Sequence, residues 1–225
     1  MEASQIPMNF TFRSADGRED FLVAQANEIA VGWIDKWPAW QSGFLILTGP
    51  RGCGKSHLAG VWQTMSNAIL IQSSDLAGLS IEALAEIATT PVLCEDIKPG
   101  VAETEMFHLF NLMVENKNSM LITAEMAPKQ WNLTLPDLAS RLGTIPIAAI
   151  EEPDDQLFAA LVVKHFSDRQ LAVTPDVVQY LLNRIERSFA EIARMVSILD
   201  KRALAQKRKI NIPLVRDVLM EEQEN

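Results

Sequence analysis

Cysteine is scarce in this chain: its 225 residues hold two, Cys53 and Cys94. Two thiols this far apart form neither a metal-type cluster nor a disulfide framework. Long apolar runs are missing too; none approaches the ~20 residues needed to span a bilayer. The first ten residues, MEASQIPMNF, lack a basic segment followed by an apolar one, which excludes a secretion signal. A reduced, cytoplasmic protein with no membrane association is expected. Positive charge is also in deficit. The formal net charge is −9, with 16 acids against 9 bases in residues 1–150 and 13 against 11 in residues 151–225. That balance excludes the broad positive field of a strong intrinsic DNA binder and leaves a small local contact open. Repeats and low-complexity tracts are absent.

What is present is apolar. Hydrophobic residues make up 48% of the chain, enough to bury a substantial core. Residues 21–37 carry Phe21, Leu22, Ile29, Ala30 and Trp33 at helical spacing. Short apolar runs follow at Phe44–Thr48, Ala68–Ile71, Pro91–Cys94, Ser119–Thr123 and Thr144–Ile150. Helical stretches starting at Gly54 and near Ser80, Glu103 and Pro136 separate them. Alternation of this kind predicts an α/β fold with a mostly parallel sheet covered on both faces. After Ile150 only the helical period remains. Glu151-Glu152-Pro153-Asp154-Asp155 starts one helix, Thr174-Pro175-Asp176 caps a second, and a third runs from Ser188 to about Lys207. Asn211-Ile212-Pro213 breaks it, and a short helix follows to about Met220. The expected organisation is an arm over residues 1–20, an α/β base over 21–150 and an all-helical region over 151–225.

Gly49-Pro50-Arg51-Gly52-Cys53-Gly54-Lys55-Ser56 fits the phosphate-loop pattern G-x-x-x-x-G-K-[ST], with an apolar strand before it and a helix after it. The glycines let backbone N–H groups turn inward around phosphates, and the helix N-terminus adds partial positive charge. Lys55 is placed to reach the β- and γ-phosphates of ADP or ATP, and the Ser56 hydroxyl to bind Mg²⁺. Pro50, Arg51, Gly52, Cys53, Gly54 and His57 complete the expected nucleotide contacts. Val92-Leu93-Cys94-Glu95-Asp96 is an apolar strand ending in two carboxylates, where acids can hold Mg²⁺ and orient a water. Glu95 is one methylene longer than the aspartate usual at that position, so a weak ATPase at most is expected. A cap or surface acid pair is the competing reading.

The segment from Arg18 to Trp62, REDFLVAQANEIAVGWIDKWPAWQSGFLILTGPRGCGKSHLAGVW, resembles the nucleotide-binding domain of the DnaA replication initiator family. Within that family it is more similar to the short initiator-inactivating Hda type. The likeness covers roughly residues 4–220. It implies an AAA+ module, a five-stranded parallel sheet with flanking helices followed by a helical lid. It also implies roles for matching positions. Phe21, Leu22, Val23 and Asn27 fall where the family packs against adenine. Thr123 and Glu125 occupy the first sensor region. Arg141, in Asp137-Leu138-Ala139-Ser140-Arg141-Leu142, falls where the family places an arginine finger that acts in trans. Arg187, in Glu186-Arg187-Ser188-Phe189, matches the second sensor. Each competes with an ordinary surface or ion-pair role, as the basic stretch Lys207-Arg208-Lys209 does with a solvated helix end.

Gln5-Ile6-Pro7-Met8-Asn9-Phe10 fits the loose pattern Gln-x-x-(Leu/Met)-x-Phe. It resembles peptides that dock on the sliding clamp of DNA polymerase, with Met8 and Phe10 in an apolar pocket and Gln5 in polar contact. With the sequence ending at Asn225, the helix-turn-helix module of initiators is not expected here. The expectation is a regulator that binds the clamp and promotes ATP hydrolysis by the DnaA initiator through Arg141. The runner-up is a DnaA-like or helicase-loader-like NTPase without clamp binding. Whether ADP or ATP is the working ligand, and whether the chain is a monomer or a homodimer, stay open.

Overall fold

The computed structural model describes Val23 and residues 25–223. Within them the chain forms two compact units. One contains the described residues up to Thr48 together with Ser56–Ile150; the other contains Gly49–Lys55 and the residues from Glu151 onward.

The first unit is built on five parallel strands: β1 (Phe44–Thr48), β2 (Ile69–Gln72), β3 (Val92–Ile97), β4 (Met120–Ala124) and β5 (Ile147–Ala149). Their order is β2-β3-β4-β1-β5. Interior β1, next to the edge strand β5, pairs Phe44 with Met120 on β4 and Ile46 with Ile147 on β5. All five of its residues are buried. That explains why the strand reads as an unbroken apolar run: alternation sends Phe44 and Ile46 to one face and Leu45 and Leu47 to the other, and both faces are covered. A fully buried aliphatic side chain of this kind contributes about 1.5–3 kcal/mol.

Helices α1 (Glu28–Asp35), α2 (Lys55–Ser66), α3 (Ile81–Ile87), α4 (Glu103–Glu115) and α5 (Pro136–Leu142) follow or link the strands. Phe44 and Ile46 share a core with Leu84 of α3, Leu109 and Phe110 of α4 and Leu138 of α5. Trp62 of α2 is fully buried, stacked on Trp40 at 5.5 Å and edge-on to Trp37 at 6.2 Å. Aromatic pairs in these geometries add to simple area burial.

Two expectations are corrected. The first helix begins at Glu28, with residues 25–27 in a turn, and ends at Asp35 because Pro38 cannot donate to a helix and its ring disfavours helical backbone before it. Its core face is Ala30, Val31 and Ile34, while Ile29 is 67% exposed. Phe21 and Leu22 lie outside the described residues. The run Thr144–Ile150 yields a strand of only three residues. Thr144 and Ile145 instead donate to Arg141 and Leu142 and finish the turn after α5.

The second unit is helical: α6 (Asp155–Asp168), α7 (Pro175–Leu182), α8 (Phe189–Gln206) and α9 (Ile212–Gln223). Asp154 caps α6, its carboxylate accepting from the Leu157 N–H at 2.7 Å, and Ser188 caps α8 by accepting from the Glu191 N–H at 3.1 Å. Each such cap is worth about 1 kcal/mol. Phe158, Phe166, Ile192, Leu199 and Leu214 fill the space between the helices. Arg194 bridges Glu191 on its own helix and Glu222 on α9.

Candidate nucleotide site

The loop Gly49–Ser56 follows β1 and opens α2. Gly52 has φ +72°, and a Cβ there would sit 2.7 Å from the Cβ of Ala190 and 3.2 Å from the hydroxyl of Ser188. Its carbonyl accepts from the Ala190 N–H at 3.2 Å. Only glycine satisfies both the left-handed backbone and this close approach. The Lys55 ammonium donates to the carbonyls of Gly49 at 2.7 Å and Pro50 at 2.8 Å. The Lys55 cation is thus gathered over the loop's own backbone, where an anionic phosphate group would be attracted. Cys53 is buried, and burial raises its thiol pKa despite the opposing charge of Lys55. Cys94, also free, is pushed by burial to about 12. Ser56 and His57 are exposed on the first turn of α2, as is Arg51 within the loop.

In the first unit, the acid pair sits on a break in β3. Cys94 pairs with Ile122 and Ile97 with Ala124, so two residues of β3 oppose one of β4. This is a β-bulge, a device that re-aims side chains. Asp96 takes φ +56°, a left-handed conformation that Asp tolerates better than most residues. Thr123 is the residue opposite, and its hydroxyl accepts the Asp96 N–H at 3.0 Å. Glu95 accepts from the Gln72 amide at 3.0 Å. Asp96 is exposed, with Lys98 at 3.8 Å. Among the described residues no cluster of three or more His, Cys, Asp or Glu could hold a metal by itself. Ser56 and Glu95 each carry an oxygen that could ligate a metal accompanying phosphate.

The remaining candidates are dispersed. Val23 is half-buried and Asn27 fully buried. Glu125 is exposed at the end of β4. Arg187 pairs with Asp155 at 2.8 Å within the helical unit. Arg141 is exposed near the end of α5, its guanidinium over the rings of Phe107 at 5.4 Å and Phe110 at 5.6 Å. Gln5, Met8 and Phe10 lie outside the described residues.

Residues 154–219 match the family model described as Hda, lid domain. Domain III of the Thermotoga maritima replication initiation protein DnaA superposes with a TM-score of 0.77 at 18% identity, covering 94% of this chain and 98% of that one. Residues 154–219 thus resemble the Hda lid domain, and the chain shares the fold of DnaA domain III. Replication initiator DnaA bound to AMPPCP and single-stranded DNA gives a TM-score of 0.69 at 20% identity over 81% of this chain. This chain spans 63% of that initiator's length. The Thermotoga maritima RuvB Holliday junction branch migration motor gives 0.67 at 15% identity, covering 88% of this chain and 69% of that one. At such identities these structures establish the fold, a P-loop AAA+ module with a helical lid. Among the described residues no helix is long and apolar enough to cross a membrane.

Sequence reasoning did not find Gln72, the bulge or the Thr123–Asp96 bond. The only hint of the bulge was two acids interrupting an apolar strand.

Proposed function

We propose that the chain is a nucleotide-binding regulator of DNA replication initiation. In this reading it docks on the DNA polymerase sliding clamp through Gln5, Met8 and Phe10, acts in the cytoplasm, and promotes ATP hydrolysis by the DnaA initiator through Arg141 in trans. The observation that carries the reading is the Hda-type lid on a DnaA-like fold, downstream of an intact phosphate loop. Lys55 would hold the phosphates of ADP or ATP, and Ser56 and Glu95 the accompanying Mg²⁺. Val23 and Asn27, with Phe21 and Leu22, would pack near the base, and Arg187 would leave Asp155 to contact nucleotide bound to the same chain. An arginine finger supplies positive charge where negative charge develops on a transferring phosphoryl group. An exposed Arg141 suits that task.

Capture of the purified clamp by the full chain, compared with a chain lacking residues 1–12, tests the docking step. Changing Gln5, Met8 and Phe10 together to Ala should abolish capture and leave the melting temperature unchanged. A drop of many degrees in the triple variant would mean that these residues belong to the core.

The isolated chain should turn over ATP more slowly than ~1 s⁻¹, the lower end of the ordinary enzyme range. Glu95 is longer than the usual aspartate and already engages Gln72. Faster turnover would favour a stand-alone NTPase.

A further inference from the structure

Glu103, Phe107 and Phe110 stand at i, i+4 and i+7 of α4 and so share one helical face. All three engage the segment that carries Arg141. The Glu103 carboxylate accepts from the Leu135 N–H at 2.6 Å, from the Thr134 N–H at 2.9 and 3.0 Å, and from the Thr134 hydroxyl at 3.1 Å. Leu135 is the N-cap position of α5 and offers no capping side chain of its own. Glu103 therefore supplies the cap from another helix, and these bonds hold its carboxyl below the usual carboxylate range. Near the opposite end of α5, the Arg141 guanidinium rests over Phe107 and Phe110. Phe110 is only 5% exposed and stacks on Phe44 of β1 at 4.8 Å. The seat is therefore anchored in the core.

A ring face holds a guanidinium differently from a carboxylate. It attracts the cation through its quadrupole but accepts no proton and brings no net negative charge. The five N–H donors stay available along the edge of the guanidinium plane. Among the described residues Arg141 has no ion pair, and its guanidinium lies over these rings.

We propose that the Glu103–Phe107–Phe110 face of α4 is a preorganising seat that presents Arg141 outward with its charge uncompensated. Glu103 and Phe107 are then positioning residues for the reaction assigned to Arg141, and the proposal rests on that assignment. Glu103 sets the direction of α5, and Phe107 limits the rotamers of the arginine, so less freedom is lost when it meets a partner's phosphoryl group.

The test compares the full chain with Phe107→Leu, Phe107→Tyr, Glu103→Gln and Arg141→Ala. Two readouts are used: the stimulated hydrolysis of initiator-bound ATP, and the side-chain Hδ resonances of Arg141. Phe107→Leu keeps an apolar side chain and removes the ring. It should lower the maximal stimulated rate about tenfold with no change in the concentration giving half-maximal stimulation. Phe107→Tyr restores the ring and should restore the rate. In the wild type the Arg141 Hδ resonances should be shifted upfield by the rings, and Phe107→Leu should move them toward the unperturbed position. If Arg141→Ala is inactive while Phe107→Leu stimulates fully, the seat is overturned and the finger stands. If Arg141→Ala stimulates like the wild type, the finger assignment fails and the seat with it. Should Phe107→Leu fail to fold, unshifted wild-type Hδ resonances, or full activity of Glu103→Gln, overturn the proposal.

Discussion

Arg141→Ala is expected to abolish the stimulation of initiator-bound ATP hydrolysis while this chain's own affinity for ADP and for the clamp stays unchanged. Fingers offered in trans are worth roughly 10³–10⁵ in rate, so the loss should reach background. The size follows from electrostatics in a water-excluded site, where a cation aimed at the transition state contributes far more than in bulk water. Arg141 lies on α5, whose sequence precedes the short edge strand β5. The phosphate loop follows β1, and its cation Lys55 bonds to Gly49 and Pro50. Removal of its side chain from an exposed position also creates no cavity, so the melting temperature should move little. A variant that stimulates as well as the wild type would reduce the domain to an interaction module.

Lys55→Ala carries the second large effect. The ammonium is gathered over the loop carbonyls, and charge-assisted bonds to phosphate are roughly twice as strong as neutral ones. Their loss should weaken ADP binding by more than about tenfold. Titration of labelled ADP into both proteins decides the matter. Equal affinities would contradict the assignment of Gly49–Ser56 as a phosphate loop. Because Lys55 also satisfies two backbone carbonyls, a fall in melting temperature can accompany the loss. Lys55→Arg separates the effects, since it keeps a cation while changing its fit to the phosphates.

The fold was legible in the sequence to the extent that burial was symmetric. Phe44–Thr48 is a strand with both faces covered, and its apolar run marked the strand to the residue. Helices α4 and α5 begin at the residues where Glu103 and Pro136 announce them. The start of α8 was legible for a physical reason as well, because the Ser188 hydroxyl caps the backbone directly. The first helix was misjudged because helical spacing of apolar residues does not say which of them face solvent, and Ile29 does. The tail of the last strand run was misjudged because Thr144 and Ile145 serve the turn after α5.

Legibility of the site divides along similar lines. The phosphate loop is a local motif, so its residues stand together in sequence and space. The environments of Glu95 and Thr123 depend on pairing across strands. Gln72 reaches Glu95 from β2, and Thr123 reaches Asp96 from β4. Neither contact has a signature in spacing. The same holds for Phe107 and Arg141, whose meeting depends on how α5 lies along α4.

The most direct test of the account follows ATP bound to purified initiator in the presence of clamp-loaded DNA, with and without the wild-type chain. Conversion to ADP should accelerate only when the chain, the clamp and DNA are all present, and deleting residues 1–12 should return it to the rate of initiator alone. An unchanged rate on addition of the intact chain would contradict the proposed function outright.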